Sequence, residues 1–100
     1  MKYSQLKQPW GIRIPQIIVT AIDEYHFQVT VMDSSNTTHK VSIEPNYALK
    51  LTAGKITTTQ LVEKSFEFLL EREANTSILR SFDLSVIARY FHEYEQIITQ

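Results

Sequence analysis

The side chains able to exchange a proton near neutral pH are His26, His39 and His92, so a general base or a metal centre in this chain would start from one of them. His26 and His39 fall on neighbouring predicted strands but, in the hairpin register argued below, on opposite faces, and they form no metal pair. His39 is expected as a partly buried spacer near a sheet end, while His92 is placed to pair locally with Glu95 or Arg89. A zinc site takes about four donors, and no spacing here supplies them. The chain has no cysteine, which removes disulfides, thiolate catalysis and cysteine-rich metal sites together. Serine nucleophiles fare no better, because no Gly-x-Ser-x-Gly elbow occurs and Ser65 sits on the edge of a helix stripe, where a small residue allows close packing. Gly11 and Gly54 are the only glycines, too few and too far apart to cradle a phosphate. Asp23-Glu24 and Glu93/Glu95 read as solvated carboxylates. No catalytic residue, cofactor or metal ligand is therefore assigned.

Arg72, Arg80 and Arg89 are the charged residues whose positions suggest a job, since they surround one loop and the start of the last helix. They form either an anion site or an ion-pair network. The network is the preferred reading, with Arg80 reaching Asp83 and with Glu71, Glu73 and Glu93 as partners for the others.

The elements that must position these groups are read from periodicity. One hundred residues with 43% hydrophobic and 21% charged content suit one folded domain with one core. Residues 1–14 carry Pro9 and Gly11 without a usable period and are expected as an N-terminal arm, with residues 15–100 as a single α+β domain. Ile17-Ile18-Val19-Thr20-Ala21-Ile22 is a β-branched run. After Asp23-Glu24, Tyr25, Phe27, Val29 and Val31 alternate with His26, Gln28, Thr30 and Met32, the period of a half-buried strand. Pairing Asp33 with Thr37 across a Ser34-Ser35-Asn36 loop sets Val31 opposite His39, Val29 opposite Val41 and Phe27 opposite Ile43, with apolar side chains on one side. Asn36 would then take the left-handed position of the loop.

Pro45 opens a short helix that ends at Gly54, the expected left-handed cap. Thr57 followed three residues later by Gln60 is a capping box, and it launches a helix over residues 57–72. At about 100° per residue, Val62, Phe66, Leu69 and Leu70 fall between roughly 80° and 180° from Leu61. Phe68 lies on the other side of Leu61, which leaves Glu63, Lys64, Glu67 and Glu71 for water. An apolar arc that wide needs cover from two sides, a sheet and another helix. Ile78-Leu79 is read as a single helical turn. Asp83 caps a last helix whose face is Leu84, Ile87, Phe91, Tyr94 and Ile98. The expected architecture is a three-stranded antiparallel meander followed by three to four helices on one face of the sheet.

The strings Ser65-Phe66-Glu67-Phe68-Leu69-Leu70-Glu71-Arg72-Glu73, Ser77-Ile78-Leu79-Arg80-Ser81-Phe82-Asp83-Leu84 and Arg89-Tyr90-Phe91 resemble small bacterial proteins of uncharacterised, function-unassigned families, over about residues 25–95. The resemblance implies a bacterial cytosolic protein and carries no activity, ligand or site residue with it.

Function is argued from what the first strand leaves uncovered. A two-residue Asp23-Glu24 turn would pair Ile22 with Tyr25 and Thr20 with Phe27, sending Ile17, Val19 and Ala21 to the polar face. Trp10, Arg13, Ile17 and Val19 then form the expected interface, covered by the arm or by a second copy; a longer turn would reverse the strand's faces and remove that argument. The preferred reading is a non-enzymatic cytoplasmic protein-interaction module, a homodimer through its first strand and arm, with an unknown protein partner as a further option. A nucleic-acid accessory role is the second reading, from Lys2, Lys7 and Arg13 interleaved with Tyr3 and Trp10, against which stands a net charge of −1. A small enzyme with a pocket near the C-terminal helix, using His92, Tyr94 and Arg89, is the third. No run of about 20 apolar residues offers a membrane span.

Overall fold

A computed structural model describes residues 14–100; of the expected arm it includes Ile14, and Trp10 and Arg13 lie outside the described residues. The chain runs β1 (Gln16–Ala21), β2 (His26–Met32), β3 (Asn36–Ser42), α1 (Pro45–Thr52), α2 (Thr58–Leu70), a 3-10 turn (Asn75–Ser77), β4 (Ser81–Asp83), α3 (Val86–Tyr90) and α4 (Tyr94–Ile98). The strands form one sheet in the order β1-β2-β3-β4. β1 to β3 are antiparallel, and β4 adds parallel to β3 at the edge. The fold is α+β as expected, but the sheet is mixed and four-stranded rather than a three-stranded meander. Three residues carry no period, so β4 has no signature in the sequence; β3 recruits it through Lys40 N–H donating to Arg80 O (2.8 Å) and Leu84 N–H donating to Ser42 O (2.8 Å).

The β2–β3 hairpin pairs Val31 with Thr37, Val29 with His39 and Phe27 with Val41, two residues away from the expected register. An even slip preserves the pleat. Phe27, Val29, Val31, Thr37, His39, Val41 and Ile43 are accordingly all buried on one face. Asn36 pairs with Met32 inside the ladder instead of taking a left-handed loop position.

The first hairpin slips by one residue, which has the opposite effect. Ile22 N–H donates to His26 O (2.8 Å), so the turn is Asp23-Glu24-Tyr25, and Val19 faces Val29 while Ile17 faces Val31. Asp23 favours the longer turn because its Oδ1 accepts from both Tyr25 N–H (2.8 Å) and His26 Nδ1 (2.8 Å), a side-chain mimic of a backbone turn. Ile17 and Val19 therefore point into the core, packed against it though partly exposed.

The helices cover that same face. Thr57 Oγ1 accepts from Gln60 N–H (3.0 Å) and Gln60 Oε1 accepts from Thr57 N–H (2.9 Å), the reciprocal box the sequence spells. α2 buries Leu61, Val62, Ser65, Phe66, Phe68 and Leu69 and contacts β1, α1 and α4, the cover from two sides that its wide apolar arc demands. The single long C-terminal helix is not formed. Its face is right, since Leu84, Ile87, Tyr94 and Ile98 are buried, but Phe91 is extended (φ −129°, ψ 96°) and splits it into α3 and α4. The break sets both the Phe91 ring (5.7 Å) and the Tyr94 ring (5.2 Å) edge-on to Phe68, a favoured aromatic geometry. Ile78 and Leu79 form no helical turn; the 3-10 turn lies just before them.

Candidate functional site

β1 is the outer strand of the sheet, and among the described residues only β2 pairs with it. Hydrogen-bonded and non-hydrogen-bonded pairs alternate along an antiparallel ladder. The bonded pair Ile22/His26 therefore assigns the even-numbered residues of β1 to β2. The main-chain N–H and C=O groups of Ile17, Val19 and Ala21 face away from the sheet. Edges of this kind are usually blunted by charge, proline, a bulge or brevity. β1 has none of these: Gln-Ile-Ile-Val-Thr-Ala spans six residues with no charge, and Pro15 precedes it. The opposite edge is protected, because β4 has only three residues and contains Asp83. Ile18 (48% exposed) and Ile22 (57%), the even-numbered apolar residues here, flank the β1 edge on the outer face. Ile17 and Val19, which the two-residue turn would have exposed, contribute their backbone to this edge, and their side chains go to the core.

Arg72, Arg80 and Arg89 do not converge on an anion site among the described residues. Arg72 lies over the Phe68 ring (3.6 Å to its centre), donates to Phe68 O (2.9 Å), and reaches Glu71 (3.3 Å) and Glu93 (3.4 Å). It closes the C-terminus of α2 and ties it to the residue before α4. Arg80 does not brace Asp83. That carboxylate accepts from Ser42 Oγ (2.8 Å) and from Ser85 Oγ (2.6 Å) and N–H (3.1 Å); burial pushes its pKa up, and these hydrogen bonds outweigh burial and hold it below the usual value. Arg80 and Arg89 are exposed and make no ion pair with another described residue. Of the three arginines, Arg72 is the one that forms ion pairs among the described residues.

The histidines also separate. His26 is exposed and donates from Nδ1 to Asp23. His92 is exposed. His39 is fully buried rather than a half-buried spacer: its Nδ1 donates to Leu79 O (2.8 Å), and its Nε2 lies 2.8 Å from Thr37 Oγ1. Among the described residues, no group of three or more His, Asp or Glu could hold a metal. No described helix is long and apolar enough to cross a membrane.

A cleft of ≈ 210 Å³ opens beside α3, lined chiefly by Leu69, Ile78, Leu79, Phe82, Ile87 and Tyr90, with Glu73 and Ser77 as its polar lining residues. It is not the pocket the sequence suggested. Tyr94 is fully buried, its hydroxyl 2.6 Å from Ser65 Oγ, and neither His92 nor Arg89 lines the cleft. Tyr90 and Leu79 look alike in sequence to core residues; that they stand 72% and 51% exposed at a cleft follows from the break at Phe91 and the recruitment of β4, neither of which periodicity encodes. No protein-family model, curated protein or solved structure matches the chain.

Proposed function

We propose that this protein is a cytosolic, non-enzymatic interaction module that self-associates by pairing the β1 edges of two copies, with the arm at residues 1–14 adding to the contact. The observation that carries this reading is the uncharged, β-branched outer edge of β1, whose Ile17, Val19 and Ala21 backbone groups have no strand partner among the described residues. Two such edges match each other. With Val19 opposite Val19 of the second copy and Ile17 opposite Ala21, every outward N–H meets an outward C=O, and no like charges meet. Resemblance to small bacterial proteins supports the bacterial, cytosolic setting.

Native mass spectrometry tests the proposal directly. The wild type should appear at twice 11.7 kDa. Ala21→Pro removes one outward N–H at a position where an edge strand tolerates proline, so it should yield a monomer with unchanged circular dichroism. A wild type that stays monomeric into the high micromolar range overturns the reading. A second reading, binding of a small apolar molecule, draws on the cleft beside α3, and the same spectrum would report it as mass retained on the monomer.

A further inference from the structure

A chain of four polar groups runs through the core beside β3, and its hydrogens can be assigned one by one. Asn75, 3% exposed, donates both hydrogens of Nδ2, to Ser35 O (2.8 Å) and to Thr37 Oγ1 (2.8 Å). The Ser35 carbonyl can only accept, which fixes the orientation of the amide. Leu79 O can only accept too, so His39 Nδ1 carries a hydrogen. Thr37 Oγ1 already accepts from Asn75, and its own hydrogen goes to His39 Nε2. Every hydrogen in the chain meets an acceptor only while Nε2 is bare, that is, while His39 is neutral.

This chain ties the start of the crossover, residues 75–79, to the sheet, beside the burial of Ile78 and the β3–β4 ladder that follows. Asn75 opens the 3-10 turn and Leu79 leads into β4, so its two ends hold the segment 75–79 against β3. The other polar ties there are the β3–β4 ladder from Lys40/Ser81 to Ser42/Asp83, the main-chain bonds from Lys40 to Arg80 and from Leu84 to Ser42 that flank it, and the Ser42–Asp83 side-chain bond, and none of them reaches residues 75–79. Ile78, Leu79 and Phe82 from this segment also form one wall of the cleft beside α3.

We propose that His39 is a proton-operated latch: a proton taken up at Nε2 breaks the Asn75–Thr37–His39–Leu79 chain, frees residues 75–83 from the edge of β3 and widens the cleft that they wall. Protonation turns Nε2 into a donor facing the Thr37 hydroxyl hydrogen, and that hydroxyl must swing away from its only acceptor in the chain. The new charge has no counter-ion among the described residues. α2 presents the Phe66 ring (5.3 Å between ring centres) and β2 presents Val29, both uncharged, and the charged group acting on His39 is the like-charged Arg80. Burial first, and Arg80 after it, hold the His39 pKa below its ordinary 6.5, against the opposing pull of the Leu79 carbonyl. The folded, latched state thus binds fewer protons than the open one, and opening is favoured as pH falls below 6.5.

Amide hydrogen exchange of the full chain at pH 7.5 and 5.5 tests the latch, with rates corrected for intrinsic chemistry and the three histidines followed by NMR. Opening of residues 75–83 should rise between these pH values, by up to about tenfold for a histidine with an ordinary pKa of about 6.5 when open, while α2 keeps its protection. Thr37→Val, which removes the middle of the chain, should show fast exchange in 75–83 already at pH 7.5. Equal acceleration of α2 and residues 75–83 would mean global unfolding and overturn the latch, as would a wild-type segment whose opening does not change with pH.

Discussion

Ser65 and Tyr94 show how a single hydroxyl is spent. Ser65 donates its hydrogen to Leu61 O (2.7 Å), so the Tyr94 hydroxyl, 2.6 Å away, must donate to Ser65 Oγ. Both residues are fully buried, and burial pushes the Tyr94 pKa up to about 12, which keeps that donor protonated at any physiological pH. The two ends are unequal. Ser65→Ala strands a buried hydroxyl and should cost about 1–3 kcal/mol, whereas Tyr94→Phe leaves Ser65 bonded to its own helix and should cost about 1 kcal/mol. The double variant should be less destabilised than the sum of the two, which urea denaturation of all four proteins would measure. The sequence revealed half of this pair. The small size of Ser65 on a crowded helix face was legible, and so was the inward direction of Tyr94, because both follow from a period of 3.6 residues. That their oxygens meet was not, since periodicity says which way a side chain points and nothing about its partner on another element. His39 failed for the same reason: its inward face was readable, but the Leu79 carbonyl and the Thr37 hydroxyl that let it be buried belong to tertiary structure.

At the scale of elements, helix starts and strand faces were legible because side chains specify them, and turns and stops were not. Thr57 and Gln60 mark the start of α2 by their own chemistry. The β2–β3 hairpin kept its faces through a two-residue error in register, while the β1–β2 hairpin, wrong by one, inverted the side of the sheet to which Ile17 and Val19 belong. The deciding residue was Asp23, whose carboxylate takes two donors in a three-residue turn that a two-residue turn would not offer. The end of α1 shows a further misreading with a testable consequence. Gly54 was the expected left-handed cap, and it is left-handed (φ +70°), but Ala53 before it already occupies that region (φ 52°) and closes the helix with its N–H on Leu49 O (2.8 Å). A left-handed residue with a Cβ costs about 1–2 kcal/mol, and glycine returns about 0.5–1 kcal/mol of that through the entropy of the unfolded chain. Ala53→Gly should therefore stabilise the protein by about 0.5–1 kcal/mol, and Gly54→Ala should destabilise it by a similar amount even though a Cβ there meets nothing within 4 Å. The thermal midpoints of the two variants should move in opposite directions.

The whole molecule is held together by ties between its two halves. β4, α3 and α4 are three, five and five residues long, too short to persist alone. β4 and α4 are anchored to the N-terminal half or to α2: β4 through Ser42–Asp83, with the crossover before it held through His39–Leu79, and α4 through Tyr94–Ser65 and through Glu95. Glu95 accepts from Tyr47 Oη (2.7 Å) and Lys50 Nζ (3.1 Å), both on α1. The Tyr47 hydrogen bond first, then Lys50, lower the Glu95 pKa below its ordinary 4.5, and burial with Glu95 beside it raises that of Tyr47. The sign of the linkage follows. Between the folded and unfolded pKa values of Glu95 the unfolded chain binds more protons, so this tie contributes its full stability above pH 4.5 and loses it as pH falls through the lowered folded value. Glu95→Gln keeps an acceptor for Tyr47 but has no charge to lose. Thermal melts from pH 6 to 3 should show the wild-type midpoint falling more steeply than that of Glu95→Gln below pH 4.5. Parallel curves would mean that Glu95 is solvated in both states and that α4 is held by Tyr94 and Ile98 alone.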